Sequence, residues 1–218
     1  TRLFGRTTPP IMRDITVYNT EFGRSETFTP WNEKSVKIYS CGPTVYDHTH
    51  IGNLRAFVTA DIVKRTLIRN GYLVEHTMNF TDFGHLSDDG DAGEDKMMKG
   101  LKREGLPVTL DAMRQLSDRY IKSFKDDLYE LRVLPPDHWT RASEYVRQQI
   151  SLIKTLAEKG FTYETSDGLY FDIAKFPKYG RLKNIDLNKL RSGARVEVND
   201  EKKHPADFAV WKKSDLGW

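Results

Sequence analysis

The sequence has very little cysteine and no long apolar run. Cys41 is the one cysteine among 218 residues, so no disulfide can form within the chain, as is typical of proteins from a reducing compartment. No apolar stretch approaches the roughly 20 residues that a membrane-spanning helix needs. Residues 1–5 lack the apolar core of a secretion signal. We therefore expect a soluble, cytoplasmic protein with no membrane partner.

The sequence also has almost no excess of one charge over the other. The 34 Lys and Arg residues almost balance the 31 Asp and Glu residues, which leaves a formal net charge of +3. A balance of this kind permits contact with nucleic acid but does not indicate it. The length is sufficient for one large domain or two small ones, each with its own core.

The first part of the chain has the pattern of a strand–helix–strand unit. The apolar run at 36–40 predicts a buried strand, and 72–80 predicts a second one. Between them, 54–70 has helical spacing and ends at Gly71, with a predicted sheet-facing side of Leu54, Phe57, Val58 and Ile62. Two strands joined by a helix predict a parallel sheet with a right-handed crossover.

The second part does not continue this alternation. The pattern predicts a helix at 91–105, a long amphipathic helix at 107–134, a helix at 142–159, a hairpin from 161–163 and 169–171, and a strand at 208–211. We therefore divide the chain into 1–105, the first half of a nucleotide-binding domain, and 106–218, an inserted connective domain. Two parallel strands do not make a stable sheet alone, so we expect a longer protein of which this is the front part.

Between the first predicted strand and helix lies the run CGPTVYDHTHIGN, at residues 41–53. A strand followed by a Gly-Pro turn, a histidine-bearing loop and a helix start can present hydrogen-bond donors to a phosphate group. His50 and Asn53 are three residues apart, so they share one face of the first helical turn. This spacing predicts that both side chains donate to one anionic group, with help from the helix dipole.

The same run resembles the start of the cysteinyl-tRNA synthetases, class I enzymes whose ATP-binding HIGH motif would here read His50-Ile51-Gly52-Asn53. Further blocks resemble that family in its order and near its spacing. They lie at 17–20, 79–82, 84–86, 93–97, 192–196 and 207–212, so the resemblance covers nearly all of the chain. It implies an α/β fold, with a Rossmann-like parallel sheet and an inserted mixed α+β connective domain.

The resemblance also implies an activity, that of a cysteine–tRNA ligase. ATP with Mg²⁺ would activate cysteine as an adenylate, and the cysteinyl group would pass to tRNA(Cys). His50 and Asn53 match catalytic positions that contact the ATP phosphates, although Asn53 replaces the commoner His with a neutral amide. Gly52 matches a glycine that lets adenine approach closely. The partners implied are tRNA(Cys), cysteine and ATP, and we expect a monomer.

The remaining site residues follow from the same resemblance. Gly42 and Thr44 would line the adenylate and amino-acid pocket, and Thr81 would contact the substrate cysteine. Cys41 matches the first ligand of the family's Zn²⁺. The other zinc ligands and the KMSKS motif are not found in this sequence, so we expect the chain to be inactive on its own.

Two alternative functions stay open. One is the related ligase that joins cysteine to an amino sugar, and the other is a non-catalytic nucleotide- or RNA-binding paralogue. Without the resemblance, Cys41 would be interpreted as a small core residue and Asp47 as a loop cap. Basic residues of the second part are candidates for contact with the tRNA acceptor end: Lys178, Arg181, Lys183, Lys189 and Arg191.

Overall fold

The computed structural model describes residues 14–83, 95–183 and 200–213. The strands in this part of the chain are β1 Thr16–Asn19, β2 Arg24–Thr27, β3 Ser35–Ser40, β4 Leu73–Phe80, β5 His138–Arg141, β6 Thr162–Thr165, β7 Gly168–Phe171 and β8 Phe208–Lys212. The α-helices are α1 Ile51–Arg69, α2 Lys96–Arg103, α3 Leu110–Glu130 and α4 Val146–Glu158.

A parallel sheet with strand order β3–β4–β5 combines two strands that precede position 105 with one strand that follows it. Helix α1 joins β3 to β4, and α2 and α3 lie between β4 and β5 in the chain. The predicted Rossmann-like α/β arrangement is confirmed, but the prediction of only two parallel strands was wrong. Strand β5 has four residues, His-Trp-Thr-Arg, directly after a Pro-Pro-Asp turn. A strand this short and polar has no apolar period, and its backbone pairing with the end of β4 holds it in place.

Helix α3 and strand β5 complete the core of this sheet. The Phe80 and Trp139 rings stack with centroids 4.8 Å apart, and Phe124 from α3 meets Phe57 from α1 at the same distance. Leu116 of α3 is fully buried with Leu101 of α2. Residues from both sides of position 105 therefore share one core, while the two-domain division itself stays a prediction.

The face of α1 that packs on the sheet differs from the one expected. Its buried residues are Phe57, Asp61, Lys64 and Leu67, whereas Ile62 is 58 % exposed. The prediction for Ile62 was therefore wrong. The buried face of α1 is rotated from the predicted one because it includes the charged residues Asp61 and Lys64. A pattern of apolar residues alone does not reveal such a face.

Lys64 and Asp61 are buried because they bind the turn that leads into β5. The Lys64 ammonium donates to the carbonyl of Pro135 at 2.9 Å and to Asp137 Oδ2 at 3.0 Å. Asp61 Oδ1 accepts from the backbone N–H of Leu134 at 2.9 Å. This network attaches the third strand to the first helix, so its buried charges are paired.

His76, in the middle of β4, is next to the same network and is 2 % exposed. Its backbone N–H donates to Asp137 at 2.8 Å, and its ring Nε2 lies 2.8 Å from Ser40 Oγ. Ring Nδ1 is buried without a hydrogen-bond partner among the described residues. Burial, followed by the neighbouring Lys64 charge, lowers the pKa of His76 below its usual value.

The second part contains an antiparallel sheet with strand order β6–β7–β8. The predicted hairpin and last strand are thus present. Buried Asp207 accepts hydrogen bonds from the Tyr163 hydroxyl at 2.8 Å and from the backbone N–H of Ile173 at 3.0 Å. Burial raises the pKa of Tyr163 to about 12.

None of the helices in the described ranges is long and apolar enough to cross a membrane. The family-like blocks at 84–86 and 192–196 lie outside the described residues.

Candidate active site

The loop from β3 to α1 crosses the carboxyl edge of the parallel sheet. The backbone N–H of Val45 donates to the carbonyl of Thr81 at 3.1 Å, and the N–H of Thr81 donates to Pro43 at the same distance. Thr44 and Thr81 are thereby paired as a parallel bridge that extends β3 and β4. The structure brings these two predicted pocket residues together at the edge where ligands bind in open parallel sheets.

Asn79 connects the ends of these two strands. Its Oδ1 accepts from the backbone N–H of Gly42 at 3.1 Å and from the Tyr39 hydroxyl at 2.8 Å. Its Nδ2 donates to Thr81 Oγ1 at 3.2 Å. Sequence reasoning named Asn79 only as part of a motif. A polar residue just before a strand end was the available signal, and it gave no reason to choose Asn79 over its neighbours.

Gly42 is required by packing. A Cβ at this position would overlap the carbonyl oxygen of Asn79, so a larger residue would separate the two strands. The proposed pocket-lining role of Gly42 stays a prediction beside this structural requirement.

Cys41 follows β3 and is an exposed free thiol. The hydroxyl of Tyr39 lies near it, and the pKa of Tyr39 is raised first by burial and then by the Cys41 thiol. Within the described ranges, no three His, Cys, Asp or Glu side chains come together as they would around a metal ion. The described residues therefore do not by themselves make a zinc site, and Cys41 as a zinc ligand stays a prediction.

His50 and Asn53 form the cap of α1. His50 is the N-cap residue, and its ring Nδ1 accepts from the backbone N–H of Gly52 at 3.1 Å. Asn53 Oδ1 accepts in turn from the backbone N–H of His50 at 3.2 Å, which completes a capping box. Both contacts use acceptor atoms. The neutral ring then carries its proton on Nε2, so Nε2–H and the Asn53 amide N–H groups are the donors this arrangement offers.

Gly52 makes room for that cap. A Cβ on Gly52 would lie 2.9 Å from Cε1 and 3.0 Å from Nδ1 of the His50 ring. The absence of a side chain at residue 52 therefore leaves the space that the His50 ring occupies. Close approach of adenine to Gly52 stays a prediction.

The basic residues of the second part that were predicted to contact tRNA differ from one another in their surroundings. Arg181 is paired with Glu21, and Lys178 is exposed. Lys189 and Arg191 lie outside the described residues. Contact of these residues with tRNA stays a prediction.

Comparison with known proteins adds a family to this geometry. The family model described as the tRNA synthetases class I (C) catalytic domain matches residues 27–217. The cysteine–tRNA ligase of Treponema denticola is 43% identical over 197 residues, which cover 90% of this chain and 39% of that protein. The enzymes of that name from Methanococcus maripaludis and Pyrococcus horikoshii are 43% and 40% identical over 203 residues, covering 93% of this chain and 40% of each relative. The chain thus spans about 40% of the length of these curated relatives.

Proposed function

Because the chain belongs to the family of class I (C) tRNA synthetase catalytic domains, we propose that it supplies the nucleotide-binding site of a cysteine–tRNA ligase. In this reaction the carboxylate of cysteine attacks the α-phosphate of Mg²⁺-bound ATP, and pyrophosphate leaves. A ribose hydroxyl of the terminal adenosine of tRNA(Cys) then takes the cysteinyl group from the adenylate, and AMP leaves. The names of the relatives favour this function over the amino-sugar ligase and over a non-catalytic paralogue.

The capping box at the start of α1 carries the proposal. It places two side-chain donors, from His50 and Asn53, at the positive end of a 19-residue helix. The helix begins just beyond the carboxyl edge of the parallel sheet, where a nucleotide can lie across the strand ends. An anion at this position meets hydrogen bonds and the helix dipole together.

Adenylate formation depends mainly on stabilising charge on the phosphates. Neutral His50 and neutral Asn53 stabilise that charge through hydrogen bonds. Their acceptor atoms are held by the cap, so the donors are oriented before the substrate arrives. Such preorganisation stabilises developing charge without reorganisation during the reaction.

The strand ends form the proposed amino-acid side of the site. Thr81 Oγ1 accepts from Asn79, so its hydroxyl hydrogen is directed to another acceptor, for which we propose a polar group of the cysteine substrate. Gly42 and Thr44 would border the same space. We also propose Cys41 as one ligand of a zinc ion, since thiolates bind zinc well.

Substitution of His50 in the complete protein tests this proposal. In His50→Asn the side chain still caps the helix but the ring donor is gone, so folding and donation are separated. We expect cysteine-dependent ATP–pyrophosphate exchange to fall about 30- to 1,000-fold, the equivalent of roughly 2–4 kcal/mol for one lost donor. His138→Ala, at an exposed histidine of β5, is the control and should retain exchange. Exchange within twofold of the wild type in His50→Asn would remove His50 from the mechanism.

A further inference from the structure

We propose that Arg103, the last residue of α2, is a positioning residue that holds the loop before His50 in its binding geometry. This inference rests on the proposed function of His50. We call residues 46–49 the pre-helix loop, since they directly precede the N-cap of α1.

Arg103 binds the pre-helix loop through both terminal nitrogens of its guanidinium group. Nη1 donates to Asp47 Oδ2 at 2.6 Å, and Nη2 donates to the backbone carbonyl of Tyr46 at 2.8 Å. Nη2 also donates to the hydroxyl of Tyr120 on α3 at 2.9 Å. The planar fork of an arginine fits several acceptors at once, which a lysine ammonium with its single nitrogen cannot do in the same geometry.

Helix α3 holds the rest of the pre-helix loop. His48 Nδ1 lies 2.9 Å from Ser123 Oγ, and the Thr49 hydroxyl donates to Asp127 Oδ2 at 3.0 Å. Ser123 and Asp127 are four residues apart and so share one face of the helix. Each residue of the pre-helix loop therefore has a polar contact with α2 or α3.

These contacts matter because the loop itself is largely outside the core. Asp47 and His48 are exposed, and the nearest fully buried residue on the strand side is Val45, at 1 % exposure. His50 follows within a few residues, so a shift of the loop moves the ring and the donor that it carries. A displacement of about 1 Å can reduce a reaction rate by roughly 100-fold.

Arg119 provides a matched control for Arg103. It lies on α3 and is paired with Glu104, which also accepts a hydrogen bond from Tyr120. Among the described residues Arg119 makes no hydrogen bond or ion pair with the pre-helix loop. Its substitution removes a neighbouring arginine and an ion pair, whereas the hydrogen bonds from Arg103 to Asp47 and Tyr46 do not involve it.

Nitrogen-15 NMR of the His50 ring gives a direct test in the complete protein. In the wild type we expect the Nε2–H tautomer, because Nδ1 accepts from Gly52. Arg103→Met should average this signature and speed the exchange of the Gly52 amide by about tenfold or more, since the cap is no longer held. Arg103→Lys should restore the signature in part, and Arg119→Met should not change it. Thr49→Val removes a separate anchor with little change of volume, so it repeats the test should Arg103→Met fail to fold.

Pyrophosphate exchange supplies the functional half of the test. Arg103→Met should lower kcat about 10- to 100-fold with little change in the KM for cysteine. In a His50→Ala background it should cause no further loss, since the two residues act through one donor. Unchanged His50 ring signals in both Arg103→Met and Thr49→Val, or additive losses in the double variant, would overturn the positioning role. If the wild type shows no cysteine-dependent exchange, the proposed function fails, and the ring signals still decide whether Arg103 positions His50.

Discussion

Gly52→Ala should separate the stability of this protein from its activity. The added methyl carbon would lie 2.9 Å from Cε1 of the His50 ring, a separation that real Cβ atoms essentially never show, and 3.0 Å from its Nδ1. The ring must therefore move, and its Nδ1 loses the hydrogen bond from the residue 52 backbone N–H. Backbone strain is not involved, because residue 52 lies inside the first turn of α1.

Two opposing effects on stability nearly cancel. Losing a side-chain cap costs about 1 kcal/mol, while replacing glycine by alanine within a helix gains up to about 1 kcal/mol. We expect the free energy of unfolding to change by less than about 1 kcal/mol as the sum of these two effects. The displaced donor, in contrast, should cost roughly 2–4 kcal/mol of transition-state stabilisation.

Urea unfolding and ATP–pyrophosphate exchange, measured on the same preparations, check both halves of this prediction. Thr59→Ala is the control, since Thr59 is exposed on the same helix and, within the described ranges, its hydroxyl binds only the carbonyl of Arg55. The control should be nearly normal in both measurements. Gly52→Ala with wild-type exchange would refute the reasoning, because it would show that the ring position of His50 does not matter.

Two further predictions concern the network that attaches β5. Asp137→Ala should destabilise the protein by about 3 kcal/mol. Among the described residues, the Lys64 ammonium, 6 % exposed, would keep only a carbonyl partner, and the His76 backbone N–H would lose its acceptor. Lys64→Met should cost less than about 1 kcal/mol, since Asp137 is 47 % exposed and can be hydrated; equal losses in urea unfolding would contradict this. The pKa of His76 is lower in the folded protein than its unfolded value of 6.5. Between these two pKa values the unfolded state therefore binds more protons than the folded state. Stability should therefore fall as pH drops below about 6.5, and His76→Gln should flatten that slope; an unchanged slope would mean that another group titrates there.

Long periodic elements were the most predictable part of the fold. Helices α1 and α3 and strands β3 and β4 follow from apolar spacing over many residues. Helix α1 begins at Ile51 instead of 54 because the capping box adds a turn that has no apolar period. Strands β2 and β5 are short and polar, and each forms by pairing with a neighbouring strand, so their own sequences give little signal.

In the candidate site, too, some residues could be predicted from the sequence and others could not. Most of the residues proposed to touch a ligand lie in the continuous run 41–53 and could be named from it, while Thr81 was named from the separate block at 79–82. The residues that hold them could not, since Arg103 is 56 residues from Asp47 and Asp127 is 78 from Thr49. Contacts over such separations depend on the packing of α2 and α3, which no local pattern encodes.

The place of α3 in the chain order has a consequence for biosynthesis. Its anchors for the pre-helix loop, Ser123 and Asp127, are translated more than 70 residues after the loop itself. Domains fold as units while the ribosome adds roughly 5–20 residues per second. A nascent chain should therefore pass through an interval of several seconds in which residues 46–53 have been made but the α3 residues that anchor the pre-helix loop have not.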